Sequence, residues 1–331
     1  MKAVPFFEHG SVDVLQYCEF PDPIAGKDQV IVDVDYCGVN HIDIWTRMGI
    51  AGKKIKLPHI CGCDIVGTVK GQRVMVYPGV SCGKCSQCKS GHENLCSQFA
   101  MIGGVSDWNG GYAEKAVVPA RNVIKIPKAL KSETAATLAV SYLVAWNMLK
   151  ANGVGKGKTI LVYGATSGVG MATIQLAKAF GAKVITTLSG DDKQDYAKTL
   201  GAHYVINRSS QSIVEEVRKV HPDGIDIVID HVGAATWPTS ISVLKQGGRM
   251  AVCGMTSGNE ATVSVRMFYS KQITMTGALL GTRAQMQELL NFMVKKKIKP
   301  VIDSVLSLEQ AKEAQKKIEA GLHAGKILLQ C

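Results

Sequence analysis

Four cysteines stand out because their spacing can bring four thiolates onto one metal ion. Cys82, Cys85 and Cys88 are separated by two residues each, and Cys96 follows after a short excursion. Four cysteine ligands leave no open coordination position, which is the pattern of a structural rather than a catalytic zinc site. Disulfides are the alternative, but they are typical of exported proteins, and we find no export signal in the sequence. We therefore predict one structural Zn²⁺ ion.

A glycine-rich turn between a strand and a helix is the second segment with a chemical meaning. Residues 159–163 are apolar and β-branched, which predicts a buried strand, and residues 171–178 have helical periodicity. An ordinary glycine turn is the alternative, but this context favours a turn whose backbone N–H groups face a pyrophosphate. The predicted dinucleotide-binding residues are Gly164, Ala165, Thr166, Ser167, Gly168, Val169 and Gly170.

The tip of the next predicted strand, residues 183–188, bears on the choice of nicotinamide cofactor. An NAD enzyme places Asp or Glu there to bind the adenosine ribose. This strand ends in Leu188 and Ser189 without a carboxylate, and Lys193 follows. Ser189 and Lys193 could receive a 2′-phosphate, so NADP(H) is favoured over NAD(H). Asp191 keeps NAD(H) open, since a small shift of the loop would return a carboxylate to the ribose.

Strands and helices continue to alternate after this point. Residues 201–207, 225–230, 247–254 and 273–281 have the composition of buried strands, and residues 211–220 have that of a helix. Such alternation predicts a Rossmann domain, a doubly wound parallel sheet that binds its ligand at the carboxyl ends of the strands.

Composition and charge narrow the class of partner. The chain has 331 residues, 46% of them hydrophobic, so it can bury two ordinary cores. Its net charge is +11, but the lysine clusters at 53–56 and 295–299 lack the interleaved aromatic residues of a nucleic-acid surface. The longest apolar stretch, 135–146, is too short to span a bilayer. We expect a cytoplasmic protein that acts on a small molecule and binds neither nucleic acid nor a membrane.

The spacing of the four cysteines, Cys-x2-Cys-x2-Cys-x7-Cys, resembles the structural-zinc lobe of a known superfamily. It is the medium-chain, zinc-containing alcohol dehydrogenase superfamily, which also includes quinone and enoyl reductases. The resemblance implies an α/β chain with a β-rich, GroES-like catalytic domain at residues 1–123 and 280–331. The zinc lobe would occupy residues from about 78 to 100 of that domain, and the Rossmann domain residues 124–279.

The same resemblance extends to the cofactor and to the assembly. Three turns would line the nicotinamide half of the cofactor, those at Val232, Cys253 and Leu279. The strand near residues 273–277 resembles the edge through which family members form dimers. A homodimer or homotetramer is therefore expected.

The ligands of the family's catalytic zinc are altered in this sequence. Alcohol dehydrogenases hold that ion with two cysteines and one histidine and keep one position open. Here the first cysteine position is Asn40, the histidine position is Cys63, and the last cysteine position falls on or near Ala139. Asparagine is a poor zinc ligand and alanine is none, so the resemblance implies that the usual catalytic zinc site is absent.

What remains resembles the zinc-free quinone and enoyl reductases. Such enzymes transfer a hydride to a quinone or to a C=C conjugated to a carbonyl, as in an enone or enoyl thioester, and hydrogen-bond donors suffice to stabilise the enolate. Their pattern Gly-Val-Asn-x-x-Asp-x-x-x-Arg-x-Gly is matched by Gly38, Val39, Asn40, Asp43, Arg47 and Gly49.

Three residues of this segment form the predicted catalytic set. Asn40 would donate its amide N–H to the substrate oxygen or position the nicotinamide ribose. His41 would relay a proton, with a purely structural histidine as the alternative. Asp43 would orient the neighbouring loop, and Arg47 is interpreted as a surface residue or a contact to a substrate carboxylate.

Two other functions stay open. The first is an alcohol dehydrogenase with a remodelled second zinc site, because candidate ligands are dense in this region. That site would draw on Cys37, His59, Cys63 and Asp64, with His41 as a further option. The second is a non-enzymatic sensor or structural protein that binds the cofactor, against which the intact dinucleotide turn argues.

One departure from the family affects the catalytic domain itself. The loop that usually separates residues 67–70 from residues 71–76 is missing. We expect the two flanking strands to meet through a tight turn.

Overall fold

The computed structural model describes residues 1–50 and 52–331. The helices are α1 (His41–Met48), α2 (Ser86–Lys89), α3 (Ser132–Ala135), α4 (Leu143–Ala151), α5 (Gly168–Ala179), α6 (Gln194–Leu200), α7 (Ile213–Val220), α8 (Trp237–Val243), α9 (Val265–Ser270), α10 (Arg283–Lys296) and α11 (Ala311–Glu319). Within that described part of the chain, no helix is both long enough and apolar enough to cross a bilayer.

The strands are short in the first third of the chain and longer afterwards. They are β1 (Lys2–Ala3), β2 (Pro5–Phe6), β3 (Cys18–Glu19), β4 (Gln29–Gly38), β5 (His59–Ile60), β6 (Asp64–Val69), β7 (Gln72–Val76), β8 (Gly79–Val80), β9 (Ala100–Met101), β10 (Lys115–Pro119), β11 (Val123–Lys125), β12 (Thr159–Val162), β13 (Lys183–Leu188), β14 (Tyr204–Asn207), β15 (Ile225–Asp230), β16 (Leu244–Val252), β17 (Thr274–Gly277), β18 (Ile302–Ser307) and β19 (Lys326–Gln330).

The chain folds as two compact units. A split unit comprises Met1–Leu143 and Leu280–Cys331, and an inserted unit comprises Val144–Leu279. The predicted boundary after residue 123 is too early, because β11 pairs with β7 inside the split unit. The segment that follows β11 also stays with the split unit, since the N–H of Val140 donates to the Asp64 carboxylate at 2.7 Å.

The split unit is built on a seven-stranded sheet. The order of its strands is β11-β7-β6-β4-β19-β18, and β10 also pairs with β4. Strand β19, from the end of the chain, is antiparallel to β4. The predicted tight turn is confirmed between β6 and β7, where Lys70 and Gly71 have φ angles of 51° and 76°. Two positive φ angles are the geometry of a two-residue type I′ hairpin.

A buried arginine joins the two ends of the split unit. The Arg47 side chain is 0% exposed and forms an ion pair with Glu319 of α11. Its Nε also donates to Gln315 Oε1 at 2.8 Å, and its NH1 donates to the Gly10 carbonyl oxygen at 2.7 Å. The interpretation of Arg47 as a surface residue or substrate contact is therefore wrong, because the side chain is buried and each of its three guanidinium nitrogens donates inside the protein.

The inserted unit contains a six-stranded sheet in which every pair is parallel. The order is β14-β13-β12-β15-β16-β17. Numbered from β12, this is the order 3-2-1-4-5-6 of the Rossmann fold, in which the chain reverses direction across the sheet between β12 and β15. Ligands of such sheets bind outside the carboxyl ends of the strands at that reversal.

Replacing Arg47 with methionine should destabilise the protein strongly. Methionine fills much of the same volume but leaves the partners of the arginine without their donor. Removal of one member of a buried ion pair costs about 3 kcal/mol in the free energy of unfolding, which a urea titration followed by tryptophan fluorescence would measure.

The exposed Arg266 offers the matched control for this experiment. Its replacement by methionine should change the free energy of unfolding by no more than about 0.5 kcal/mol. An Arg47→Met variant as stable as the Arg266→Met variant would contradict a structural role for the buried arginine.

Candidate functional site

The four predicted zinc ligands lie together in the split unit. Their sulfur atoms are all within 4.8 Å of one another. The Sγ–Sγ distance is 3.9 Å for Cys82–Cys88, 3.5 Å for Cys85–Cys88 and 3.6 Å for Cys96–Cys82. A tetrahedral ion with Zn–S bonds of about 2.3 Å requires sulfur atoms about 3.8 Å apart, whereas a disulfide bond is about 2.0 Å long. The cysteines therefore fit a structural zinc ion and exclude the disulfide alternative for these four residues.

The predicted dinucleotide turn joins β12 to α5 in the inserted unit. Ser167 is the N-cap of α5, and its Oγ accepts from the N–H of Gly170 at 2.9 Å while donating to the carbonyl oxygen of Gly164 at 2.9 Å. A Cβ atom at Gly170 would lie 2.1 Å from that same carbonyl oxygen, so only glycine fits there. Thr166 precedes the cap, and Gly168 and Val169 begin the helix. The free backbone N–H groups of the first helical turn suit a phosphate group.

The turn after β15 is held by a single carboxylate. Asp230 Oδ1 accepts from the N–H of Val232 at 2.9 Å, and its Oδ2 accepts from the hydroxyls of Thr236 at 2.7 Å and Ser240 at 2.8 Å. His231 Nε2 lies 2.8 Å from the carbonyl oxygen of Tyr163, just before the dinucleotide turn. The turn with Val232 is therefore tied to the turn with Ser167.

The other predicted nicotinamide contacts lie on the same edge of the sheet. Cys253 follows β16, and its N–H donates to the carbonyl oxygen of Asp230 at 2.9 Å. Desolvation raises the pKa of the Cys253 thiol to about 12, which argues against a reactive thiolate. Leu279 lies beyond the end of β17 and is 62% exposed. An exposed apolar side chain at this edge is compatible with a cofactor contact.

The tips of β13 and β14 bring together polar residues around the predicted ribose site. Ser189 is exposed, and its carbonyl oxygen accepts from the hydroxyl of Ser209 at 2.7 Å. Lys193 precedes α6. Arg208 is exposed, and its backbone N–H donates to the carbonyl oxygen of Leu188 at 2.9 Å. The sequence prediction missed Arg208, although its place directly after a predicted strand was a usable signal.

Asn40 lies in the split unit with its side-chain amide fully engaged. The two N–H groups on Nδ2 donate to the carbonyl oxygen of Gly38 at 3.2 Å and to Asp64 Oδ2 at 2.9 Å. Oδ1 accepts from Lys326 Nζ at 2.6 Å. In this arrangement no amide N–H of Asn40 is left for a substrate oxygen, so the predicted donation by Asn40 does not fit the structure.

Asp64 and Lys326 form a buried ion pair beside Asn40. Their side chains are 0% and 2% exposed, and Lys326 Nζ lies 2.9 Å from Asp64 Oδ2. Lys326 Nζ also donates to the carbonyl oxygen of Val39 at 3.0 Å. Sequence reasoning placed Lys326 only at the start of the closing strand. A charged residue at the head of an otherwise apolar strand was the available signal.

Asp43 is buried at the start of α1. Its Oδ2 accepts from the N–H of Asn40 at 2.8 Å and from the Tyr112 hydroxyl at 3.0 Å. Burial raises the pKa of Asp43 to about 7, although these two hydrogen bonds oppose the shift. Asp43 thus holds the N-terminal end of the helix that carries His41, which agrees with an orienting rather than a reacting role.

His41 is the first residue of α1 and is half-buried. Its ring centroid lies 6.2 Å from that of Trp45 and 6.4 Å from that of His323. His323 was missed by the sequence prediction because it lies far along the chain. The role of His41 as a proton relay stays a prediction.

The residues do not fit a catalytic metal. Among the described residues, only the four zinc-lobe cysteines form a group of three or more ligands within 4.8 Å of one another. Cys37, His59, Cys63 and Asp64 therefore do not gather into such a group. Burial raises the pKa values of the Cys37 and Cys63 thiols well above their usual range, and burial lowers that of His59 to about 4. Ala139, at the family's last ligand position, is buried and carries no donor.

Comparison with known proteins gives matches along nearly the whole chain. The family described as "Alcohol dehydrogenase GroES-like domain" matches residues 26–128, and that described as "Zinc-binding dehydrogenase" matches residues 168–295. These matches confirm the predicted pairing of a GroES-like domain with a Rossmann domain.

Individual relatives have three different activities in their names. An acryloyl-coenzyme A reductase of Sulfurisphaera tokodaii is 32% identical over 94% of this chain and 95% of its own length. A quinone oxidoreductase of Homo sapiens is 31% identical over 99% of this chain and 97% of its own length. A solved structure of an NAD-dependent alcohol dehydrogenase has a TM-score of 0.94 at 36% identity, with 100% of both chains covered.

Elemental analysis of protein purified without added metal should find about one zinc per chain, because in residues 1–50 and 52–331 only the four-cysteine group has the geometry for it. Replacing Cys88 with serine should remove that zinc and lower the melting temperature, since a structural ion contributes to folding. Cys18 lies outside the group, and a Cys18→Ser variant should retain the metal.

Two zinc ions per chain would contradict this expectation and would favour a second site around Cys37 and Cys63. A Cys88→Ser variant that kept a full equivalent of zinc would contradict the assignment of the lobe itself.

Proposed function

Because this chain belongs to the medium-chain dehydrogenase/reductase superfamily of zinc-containing alcohol dehydrogenases and quinone reductases, we propose that it reduces a quinone or a C=C conjugated to a carbonyl. The chain is an NAD(P)-dependent oxidoreductase, as its relatives are. The observation that supports the narrower proposal is that Asn40, at one of the positions where the resemblance places a metal ligand, is held by the buried Lys326–Asp64 pair.

The chemistry fits the groups that remain in the split unit. A bound reduced nicotinamide supplies a hydride, which the β-carbon of the substrate accepts. Negative charge then collects on the carbonyl oxygen, and a proton donor near that oxygen lowers the barrier. His41 is the residue we assign to this step, with Asp43 fixing the start of its helix. A conjugated C=C needs less electrophilic activation than an isolated aldehyde, so no metal-bound oxygen is required.

The dinucleotide would be held by the inserted unit. Residues 164–170 at the N-terminus of α5 suit its pyrophosphate, and the turns at Val232, Cys253 and Leu279 suit its nicotinamide half. We propose NADP(H) as the preferred cofactor, because Ser189 and Lys193 follow β13 without a carboxylate at the strand tip and the backbone of Arg208 is bound to that tip at Leu188. A 2′-phosphate is a dianion for which lysine and arginine side chains are suitable partners.

The substrate class remains an enone, a quinone or an enoyl thioester. An acryloyl-coenzyme A reductase and a quinone oxidoreductase among the relatives support these choices. The net charge of +11 favours a polyanionic substrate such as a coenzyme A thioester. We also propose a homodimer or homotetramer in the cytoplasm.

A coupled substrate screen tests the proposal. The purified protein should oxidise NADPH in the presence of at least one quinone, small enone or enoyl-coenzyme A. The loss of absorbance of the reduced nicotinamide measures this oxidation. It should not oxidise simple primary or secondary alcohols with NADP⁺ or NAD⁺. Oxidation of an alcohol in this family relies on a metal ion that polarises the alcohol oxygen, and the described residues of the split unit do not fit such an ion.

The likeness to an NAD-dependent alcohol dehydrogenase supports the second candidate function. Oxidation of an alcohol in the absence of any C=C or quinone reduction would overturn the proposed function and favour this candidate. The zinc content of the same preparation would then decide whether a second ion accompanies the activity.

Arg208 is the residue on which we expect the cofactor preference to depend most. Its replacement by serine should raise KM for NADPH about tenfold, the loss expected for one charge-assisted contact to a phosphate. KM for NADH should change little, because NADH has no 2′-phosphate.

Arg266→Ser, at an exposed position on α9, is the matched control and should leave both constants unchanged. A wild-type protein that prefers NADH would overturn the NADP(H) proposal. An Arg208→Ser variant with an unaltered KM for NADPH would overturn the role of that arginine alone.

A further inference from the structure

A buried lysine holds the segment that carries the proposed proton donor. Lys326 Nζ lies 3.0 Å from the carbonyl oxygen of Val39, 2.6 Å from Asn40 Oδ1 and 2.9 Å from Asp64 Oδ2. An ammonium group has three N–H donors. All three are therefore matched by three oxygen atoms, and the side chain is 2% exposed.

These three oxygens form what we call the oxygen cage, defined by Val39 O, Asn40 Oδ1 and Asp64 Oδ2. It contains one full negative charge and two polar oxygens, which is the environment of a bound cation. The remaining carboxylate oxygen of Asp64 accepts from the N–H of Val140 at 2.7 Å. The carboxylate is thus held in place from both sides.

The cage is joined directly to the start of α1. Val39 and Asn40 are the two residues that precede His41, and Asn40 is the N-cap of that helix. Loss of the ammonium group would therefore remove one hydrogen bond from the Val39 carbonyl oxygen and one from the Asn40 side chain, the two residues directly before His41.

We propose that the buried Lys326 ammonium group positions His41 through the oxygen cage. Lys326 is a positioning residue, since its three donors are used within the protein. The proposal rests on the proposed function for the role of His41, whereas the cage itself rests only on the contacts of Lys326.

Chemical rescue of a truncated lysine tests the proposal. A Lys326→Ala variant loses the three methylene groups and the ammonium beyond Cβ, which is the volume of n-propylammonium. Its melting temperature should fall by about 10 °C, because Asp64 is left buried without its partner. Propylammonium chloride should raise the melting temperature saturably, and n-propanol, of nearly the same shape without charge, should not.

The matched control is Lys326→Met, which fills the space of the lysine without its charge. It should be as unstable as Lys326→Ala but should not respond to propylammonium, because no cavity is left for the amine. Equal responses of the two variants would overturn the cage. If Lys326→Ala does not fold, the double variant Lys326→Met with Asp64→Asn leaves no unpaired charge in the oxygen cage and should fold.

The catalytic readout separates positioning from stability. At a temperature where every variant is folded, kcat of Lys326→Ala should fall about tenfold or more, as for other residues that orient a reacting group. Propylammonium should restore kcat over the same concentration range that restores stability. A Lys326→Ala variant, or a folded double variant, with wild-type kcat would overturn the positioning role.

Failure of the proposed function has a different signature. If the wild-type protein reduced neither quinones nor conjugated C=C bonds, the kcat readout would be lost. The response of the melting temperature to propylammonium would still support or overturn the cage.

Discussion

The split unit depends on the neutralisation of one buried carboxylate by one buried ammonium group. Strands β4, β6 and β19 meet at Gly38, which pairs with both Asp64 and Leu328. A Cβ atom at Gly38 would lie 2.4 Å from the carbonyl oxygen of Ala136 and 3.0 Å from Asp64 Oδ2, so glycine is needed for this approach. Burial of either group alone would be costly, whereas the hydrogen bonds of the pair offset that cost. The start of α1 is held by the same group of atoms.

The sequence predicted best what is local. The four zinc ligands lie within residues 82–96 and the dinucleotide turn within residues 164–170. The spacing of these residues along the chain was therefore enough to predict that each group lies together. Lys326 is 262 positions from Asp64, and Arg47 is 272 positions from Glu319. Such pairs form only after β19 and α11 return to the sheet, and no local pattern indicates which distant charge will be the partner. The misplaced boundary after residue 123 has the same origin, because the pairing of β11 with β7 is a tertiary contact.

The prediction of a second metal site shows why residue type is weaker evidence than geometry. Cys37, Cys63 and His59 are all good ligands by type, and all three are fully buried. Their burial raises the pKa values of the thiols and lowers that of the imidazole to about 4. Cysteine is also a small hydrophobic residue that packs well in a core. His59 packs edge-on against Phe6, with 5.6 Å between the ring centroids.

The ion pair also limits the chemistry that the site can perform. A zinc ion with two thiolates and one neutral imidazole is electrically neutral overall, and so is an ammonium beside a carboxylate. The two sites differ in whether a coordination position or a hydrogen-bond donor remains free for a substrate. The zinc ion keeps one open position that polarises an alcohol or aldehyde oxygen, whereas the three donors of Lys326 are already matched by Val39, Asn40 and Asp64. The pair can therefore order its surroundings but has no donor left for a carbonyl oxygen. The proposed substrate does not need one from the pair, since its own conjugation spreads the developing charge and His41 is the proposed donor.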